Sequence, residues 1–373
     1  MGAPPPIRID VLDRLRSLVI LLVLLHHSLI PYATHGLVFW WIADTGGVKW
    51  FDLLLLLDDT FMMPTLFFVA GYLLPSSWDR NAAAFFAGKA RRLVLPLAVG
   101  VLFLGPIIAF CRVLDSGGTG QSFWTFWIYR YLPRNREQFH FWFLGVLFVF
   151  VSLAWLGRRW SWDGFGRAPF FVRQLRAFGL APLYLYSALL GLFVVLVSRQ
   201  FDFNEWVNLG GILQFQPTRL PIYAGFFILG LAARGAGWQP QAASLPPRSV
   251  ALALALVLCL TLVALRAGLL LPESGLGPAL GNFLFPLVAM SLFVLALRAA
   301  LALGRVRWRT GLDRRSYGIY LVHLPIVITL QYLLIALPLG PWSKAALVAA
   351  VAGLLSYALA SLLVLLPGTR SIV

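Results

Sequence analysis

Charge is what this 373-residue chain has little of: 12% of its residues are Asp, Glu, Lys or Arg, and only 14 of them are acidic. A soluble domain carries roughly a quarter of its residues charged, so this shortage excludes an ordinary water-soluble globule and a disordered chain alike. Cysteine is nearly missing. Cys111 and Cys259 stand far apart, with no CxxC or Cys/His spacing, so neither a disulfide framework nor a metal site is expected. No fixed-period repeat is visible, which excludes solenoids and propellers, and no hydrophilic stretch is long enough for a second folded domain.

Apolar residues fill the space. The chain is 60% hydrophobic with a mean hydropathy of +0.83, a composition whose solvent is lipid. A helix needs about 20 apolar residues to cross the hydrocarbon core. Ten such segments are predicted, at 14–34, 54–75, 93–111, 140–157, 182–199, 219–233, 249–268, 279–303, 316–337 and 344–366. The expected fold is therefore an all-α integral membrane protein of about ten transmembrane helices with both termini cytoplasmic. A tail at 1–13 precedes one membrane domain at 14–366, and a short tail at 367–373 follows it. The first apolar run follows Arg8, Arg14 and Arg16 like a signal peptide, but no small-x-small cleavage site comes after it, so it is read as a retained span.

The formal charge of +16 reads as topology and not as nucleic-acid binding. With both termini inside, 21 of the 30 basic residues fall in inner segments and 9 in outer ones. Three lysines among thirty basic residues, in an Ala/Leu/Arg-rich chain, fit a high-GC bacterium and hence its inner membrane. Trp124, Trp127, Tyr129 and Tyr131 mark 112–138 as an outer interfacial loop, since aromatic rings favour that depth. The arginine-rich stretch 157–181 fits an amphipathic surface helix or a ligand-facing loop.

The first span, LDRLRSLVILLVLLHHSLI, holds two histidines. At 100° per residue, His27 lies about 20° from Arg16 in rotation and about 16 Å deeper. Asp13 falls within about 60° of Arg16 and about 40° of His27, so it joins the stripe, whereas His26 is about 100° off it. An ionisable group within a span has to face protein or water, which marks it for function. Helix packing is the competing reading for His27 and the favoured one for His26. A snorkelling anchor is the competing reading for Arg16.

Other polar residues fall at matching depths. Asp58 and Asp59 open the second span, where a carboxylate would orient an imidazole or, alternatively, cap the helix. His140 starts the fourth span near the outer side and, with Trp142, is a candidate contact for an acceptor. His323 lies inside the ninth span beside Pro325, which loosens the local backbone ladder. Lys89, Arg91 and Arg92, together with Arg16, stand where a polyphosphate would dock, although topology alone accounts for most inner arginines.

Six stretches occur in order along the chain: LDRLRSLVILLVLLHHSLI, FFVAGYLL (67–74), KARRLVLP (89–96), HFWFLGVLF (140–148), PIYAGFFILGLAA (221–233) and SYGIYLVHLP (316–325). With these the chain resembles the acyltransferase 3 family of integral membrane acyltransferases, and within it the glucan biosynthesis protein C group, which is associated with succinylation of periplasmic glucans. The resemblance implies acyl-CoA as a cytoplasmic co-substrate with no bound cofactor. It also implies an acceptor hydroxyl on an extracytoplasmic glycan or lipid-linked sugar, and essential roles for Arg16 and His27. On that reading His27 is the general base, with Asp13 on its stripe. Asp58, Asp59, His26, His140 and His323 are supporting residues, and Arg16, Arg91 and Arg92 hold the donor. The competing class is a proton-coupled transporter of an anionic solute built on the same polar residues.

Overall fold

The computed structural model describes residues 10–34, 40–44, 46–118, 120–134, 137–165, 180–241, 245–272, 275–304, 311–366 and 369, with 159–165 as backbone only. Lipid offers backbone groups no partners, so apolar runs of this length satisfy their own N–H and C=O groups as helices. Ten principal helices result: α1 Asp10–Leu29, α2 Lys49–Leu73, α3 Ala82–Asp115, α4 Trp142–Phe165, α5 Leu180–Val197, α6 Leu220–Gly235, α7 Arg248–Arg266, α8 Leu276–Leu303, α9 Leu312–Leu334 and α10 Pro341–Leu365. Helix α1 begins at Asp10, so residues 10–13, expected in a tail, are helical instead: they form its acidic first turn, which suits the positive end of the helix dipole.

Among the described residues nine helical segments are long and apolar enough to span a membrane. The expected span at 219–233 is the exception, because α6 has 16 residues. It still runs from one end of the bundle to the other. Its N-terminal side joins an antiparallel hairpin, β1 Val207–Leu209 and β2 Leu213–Phe215, which is tied to Gln138 at one end. After α6, Leu245 accepts a hydrogen bond from Arg298 near the foot of α1, at the other end. A short helix suffices there because α6 is packed inside the protein: most of its side chains are buried against α2.

The closest crossing in the core joins α2 and α6. A Cβ on Gly71 would strike the Phe227 carbonyl, and one on Gly230 would strike the Phe68 carbonyl, so these two glycines let the backbones touch. Around the crossing lie the buried rings of Phe67, Phe68, Tyr72, Phe226 and Phe293. Helix α3 contains two π-helical stretches, Ala90–Val94 and Gly100–Leu104.

Helices α1 and α9 pack side by side and run in the same direction. The foot of α10 returns to the start of α9 through Arg315 Nε, which donates to Ser361 Oγ at 2.5 Å. Both ends of the described helical bundle thus lie at one end, called here the arginine end. The segments 166–179 and 305–310, with their expected inner arginines, lie outside the described residues.

Candidate active site

At the arginine end, Arg16 reaches across to the first turn of α9. Its Nη2 donates to the Asp313 carbonyl at 2.9 Å and its Nε to Ser316 Oγ at 3.2 Å, while Asp13 on its own helix meets Nη2 at 3.1 Å. Ser17 Oγ adds a bond to Asp313 Oδ1 at 3.1 Å. The stripe expected on α1 is real, and α9 is what it faces. Arg91 and Arg92 are exposed on the first π stretch of α3. Tyr317 OH donates to the Arg92 carbonyl, so that stretch adjoins the same turn of α9 that Arg16 holds.

Eleven residues further along α1, His27 faces α9 again. Its Nδ1 lies 3.0 Å from His323 Nε2, and His323 Nδ1 lies 2.8 Å from the Tyr320 carbonyl. A carbonyl only accepts, so His323 carries its proton on Nδ1. With neutral rings, His323 Nε2 must then accept from His27 Nδ1–H, which leaves the lone pair of His27 on Nε2. The chain of bonds sets the tautomer of His27 from the backbone of α9.

A second ring fixes the orientation of the imidazole. His27 lies nearly parallel to Trp40, 5.5 Å between centroids and 19° between planes, while the hydrogen-bonded His323 ring sits edge to edge with it at 5.2 Å and 20°. Gln331, 1% exposed, ties the assembly together: its Nε2 donates to the His27 carbonyl at 2.7 Å, and its Oε1 accepts from Trp40 Nε1 at 2.9 Å. Neither Trp40 nor Gln331 carried a signal in the sequence, since a tryptophan in a loop and a glutamine in a span are ordinary until they meet.

Pro325 explains where His140 goes. A proline lacks the N–H that would bond the carbonyl four residues earlier, which here is that of Leu321. His140 Nε2 lies 3.3 Å from this carbonyl and donates to it. In return, Tyr320 OH donates to the His140 carbonyl at 2.5 Å. The residue before it, Phe139, takes a φ of 44°, a left-handed conformation costly for a side chain of that size. That cost aims His140 into the bundle, with its ring 4.9 Å from that of His323.

Two expectations need correction here. His140 is not an open contact for an acceptor: it is buried, 6% exposed, and hydrogen-bonded to α9. The carboxylate expected to orient His27 is also elsewhere. Asp59 pairs with Arg219, its Oδ2 lying 2.5 Å from Nη1, because the short helical turn Pro217–Arg219 delivers a full positive charge across α2. Asp58 is half-buried and forms no hydrogen bond or ion pair among the described residues. His323 takes the place foreseen for the carboxylate. His26 is half-buried off the stripe, as its rotation requires, and Trp142 packs against Trp206 and Tyr223.

The site thus joins a cationic, partly exposed end to a ring nitrogen that keeps its lone pair, along one helix pair. A model of the acyltransferase 3 family, described as an acyltransferase domain, matches residues 9–363. No curated protein and no solved structure gives a significant match.

Proposed function

The chain belongs to the acyltransferase 3 family, and from that premise we propose that it moves an acyl group from cytoplasmic acyl-CoA to a hydroxyl of an extracytoplasmic glycan or lipid-linked sugar. The observation that carries this reading is the bond from His27 to His323, which leaves His27 Nε2 as a proton acceptor. Arg16, Arg91 and Arg92 hold the CoA phosphates, for which guanidinium forks are suited. The acceptor hydroxyl gives its proton to His27 Nε2 as its oxygen attacks the thioester carbon. The C–S bond breaks, and the departing CoA sulfur takes that proton from His27. His323 disperses the charge that forms on the His27 ring between these steps.

The arginine end is the cytoplasmic one by its charge, and the membrane is a bacterial inner membrane on this reading. The six collinear stretches favour a short donor, acetyl or succinyl, and a glucan-type acceptor. Membranes supplied with radiolabelled acetyl-CoA or succinyl-CoA test the proposal. Label is expected on a glycan or lipid-linked sugar, and His27→Gln is expected to abolish it while leaving CoA binding intact. Label that crosses the membrane without forming a covalent product would replace transfer with transport.

A further inference from the structure

A second polar group lies beside the histidine chain, and the reaction as drawn does not use it. Arg219 is 6% exposed. Its Nη1 meets Asp59, its Nη2 donates to Asn204 Oδ1 at 2.6 Å, and its guanidinium lies over the rings of Phe203 and Phe285 at 4.9 and 5.5 Å. Its Nε is buried with no partner among the described residues. His26 lies within electrostatic reach of both Asp59 and Arg219, and its Nδ1 is likewise buried without a partner. Asp59 is not closed over: its side chain is 35% exposed, against 8% for Arg219.

An ion pair kept only for packing gains little, because desolvation offsets the attraction. Here one partner is sunk into the protein and the other faces outward, which is the arrangement of a fixed donor holding a carboxylate ready for something else. An aromatic wall adjoins it. Tyr223, 2% exposed on α6, lies 5.4 Å from the Trp142 ring, itself buried, and Trp142 backs Trp206 at 5.5 Å, which is 44% exposed just before β1.

The chemistry of the ligand follows from these parts. An anion is repelled by Asp59 and a cation by Arg219, while a lipid tail leaves both without use. A sugar ring fits both halves: its C–H face stacks on indole, and its hydroxyls donate to the carboxylate and accept from donors beside it. We propose that Trp206, backed by the buried Trp142, forms with Asp59 and Arg219 a saccharide subsite that holds the acceptor while one of its hydroxyls reaches His27. The subsite deepens the acyl-transfer reading and rests on it for its role.

The test uses the full chain in lipid nanodiscs, titrated calorimetrically with maltoheptaose, cellopentaose and chitopentaose, alongside Asp59→Asn and Trp206→Ala. Trp206 is exposed, so its variant remains informative if the Asp59 variant fails to fold. At least one oligosaccharide is expected to bind saturably, and each variant that folds is expected to weaken it by on the order of tenfold. The acceptor KM for transfer from radiolabelled acetyl-CoA rises in parallel, while the donor KM stays within about twofold. No binding heat with any of the three sugars, or wild-type affinity in Trp206→Ala, overturns the subsite. Sugar binding that depends on Trp206 in a protein that transfers no label overturns the acyl-transfer reading and leaves the subsite standing.

Discussion

The two ends of the α1–α9 pair solve opposite problems with the same geometry. At the arginine end, Arg16 is held by a backbone carbonyl, a hydroxyl and a carboxylate, and its side chain remains 31% exposed. Further in, the partners are rings and amides: His323, Trp40 and Gln331 surround His27, and among the described residues no carboxylate is hydrogen-bonded to it. A permanent cation near water is best fixed by charge-assisted bonds that leave it facing a ligand. A base inside a membrane is best fixed by neutral bonds that decide which nitrogen holds the proton, since an uncompensated charge there is costly. On the proposed reading, the first arrangement suits an end that binds and the second an end that moves a proton.

The sharpest way to break that division is His27→Gln, which keeps a polar side chain but no base. Turnover is expected to fall on the order of a hundredfold or more, with CoA affinity unchanged in a binding assay. Equal losses in both would make His27 part of the donor site. His323→Leu comes next, since it removes the acceptor for His27 Nδ1–H. A fall of roughly thirtyfold in kcat is expected, partly rescued by His323→Gln, whose amide oxygen accepts the same bond. A merely structural role would give no such rescue. At the other end, Arg16→Lys keeps the charge and loses the fork, so the donor KM is expected to rise roughly tenfold with kcat less affected.

The smallest effect probes what ties His140 to α9. His140→Phe strands the Leu321 carbonyl, and a melting-temperature shift equivalent to about 1–3 kcal/mol is expected. In a Pro325→Ala background the restored N–H reclaims that carbonyl, so the same substitution is expected to cost less. Additive losses in the double variant would show that the histidine does not answer to the proline.

Legibility in the sequence followed the range of each interaction. The stripe from Asp13 through Arg16 to His27 was readable because all three ride one helix of known pitch. Nine of the ten expected spans match helices long enough to cross, and α6 fell short in length because it is enclosed by protein. The partner of His27 was not readable, since Asp59 and His323 both stood at suitable depth. The choice depended on Arg219, which lies 160 positions from Asp59 and claims its carboxylate. The role of His140 was hidden for a related reason: the signal was Pro325, whose effect falls on a carbonyl four residues back and is answered from another helix.

Composition and apolar run length alone determined that this chain is a membrane helix bundle, because lipid leaves a long apolar segment no other way to satisfy its backbone. Helix pitch alone placed a cation and an imidazole on one face. Which nitrogen of that imidazole stays bare, and what surrounds it, was decided only when α9, the Trp40 segment and the start of α4 converged on α1. Those bonds join groups from different helices, and no rule of local spacing reaches across the gaps between them.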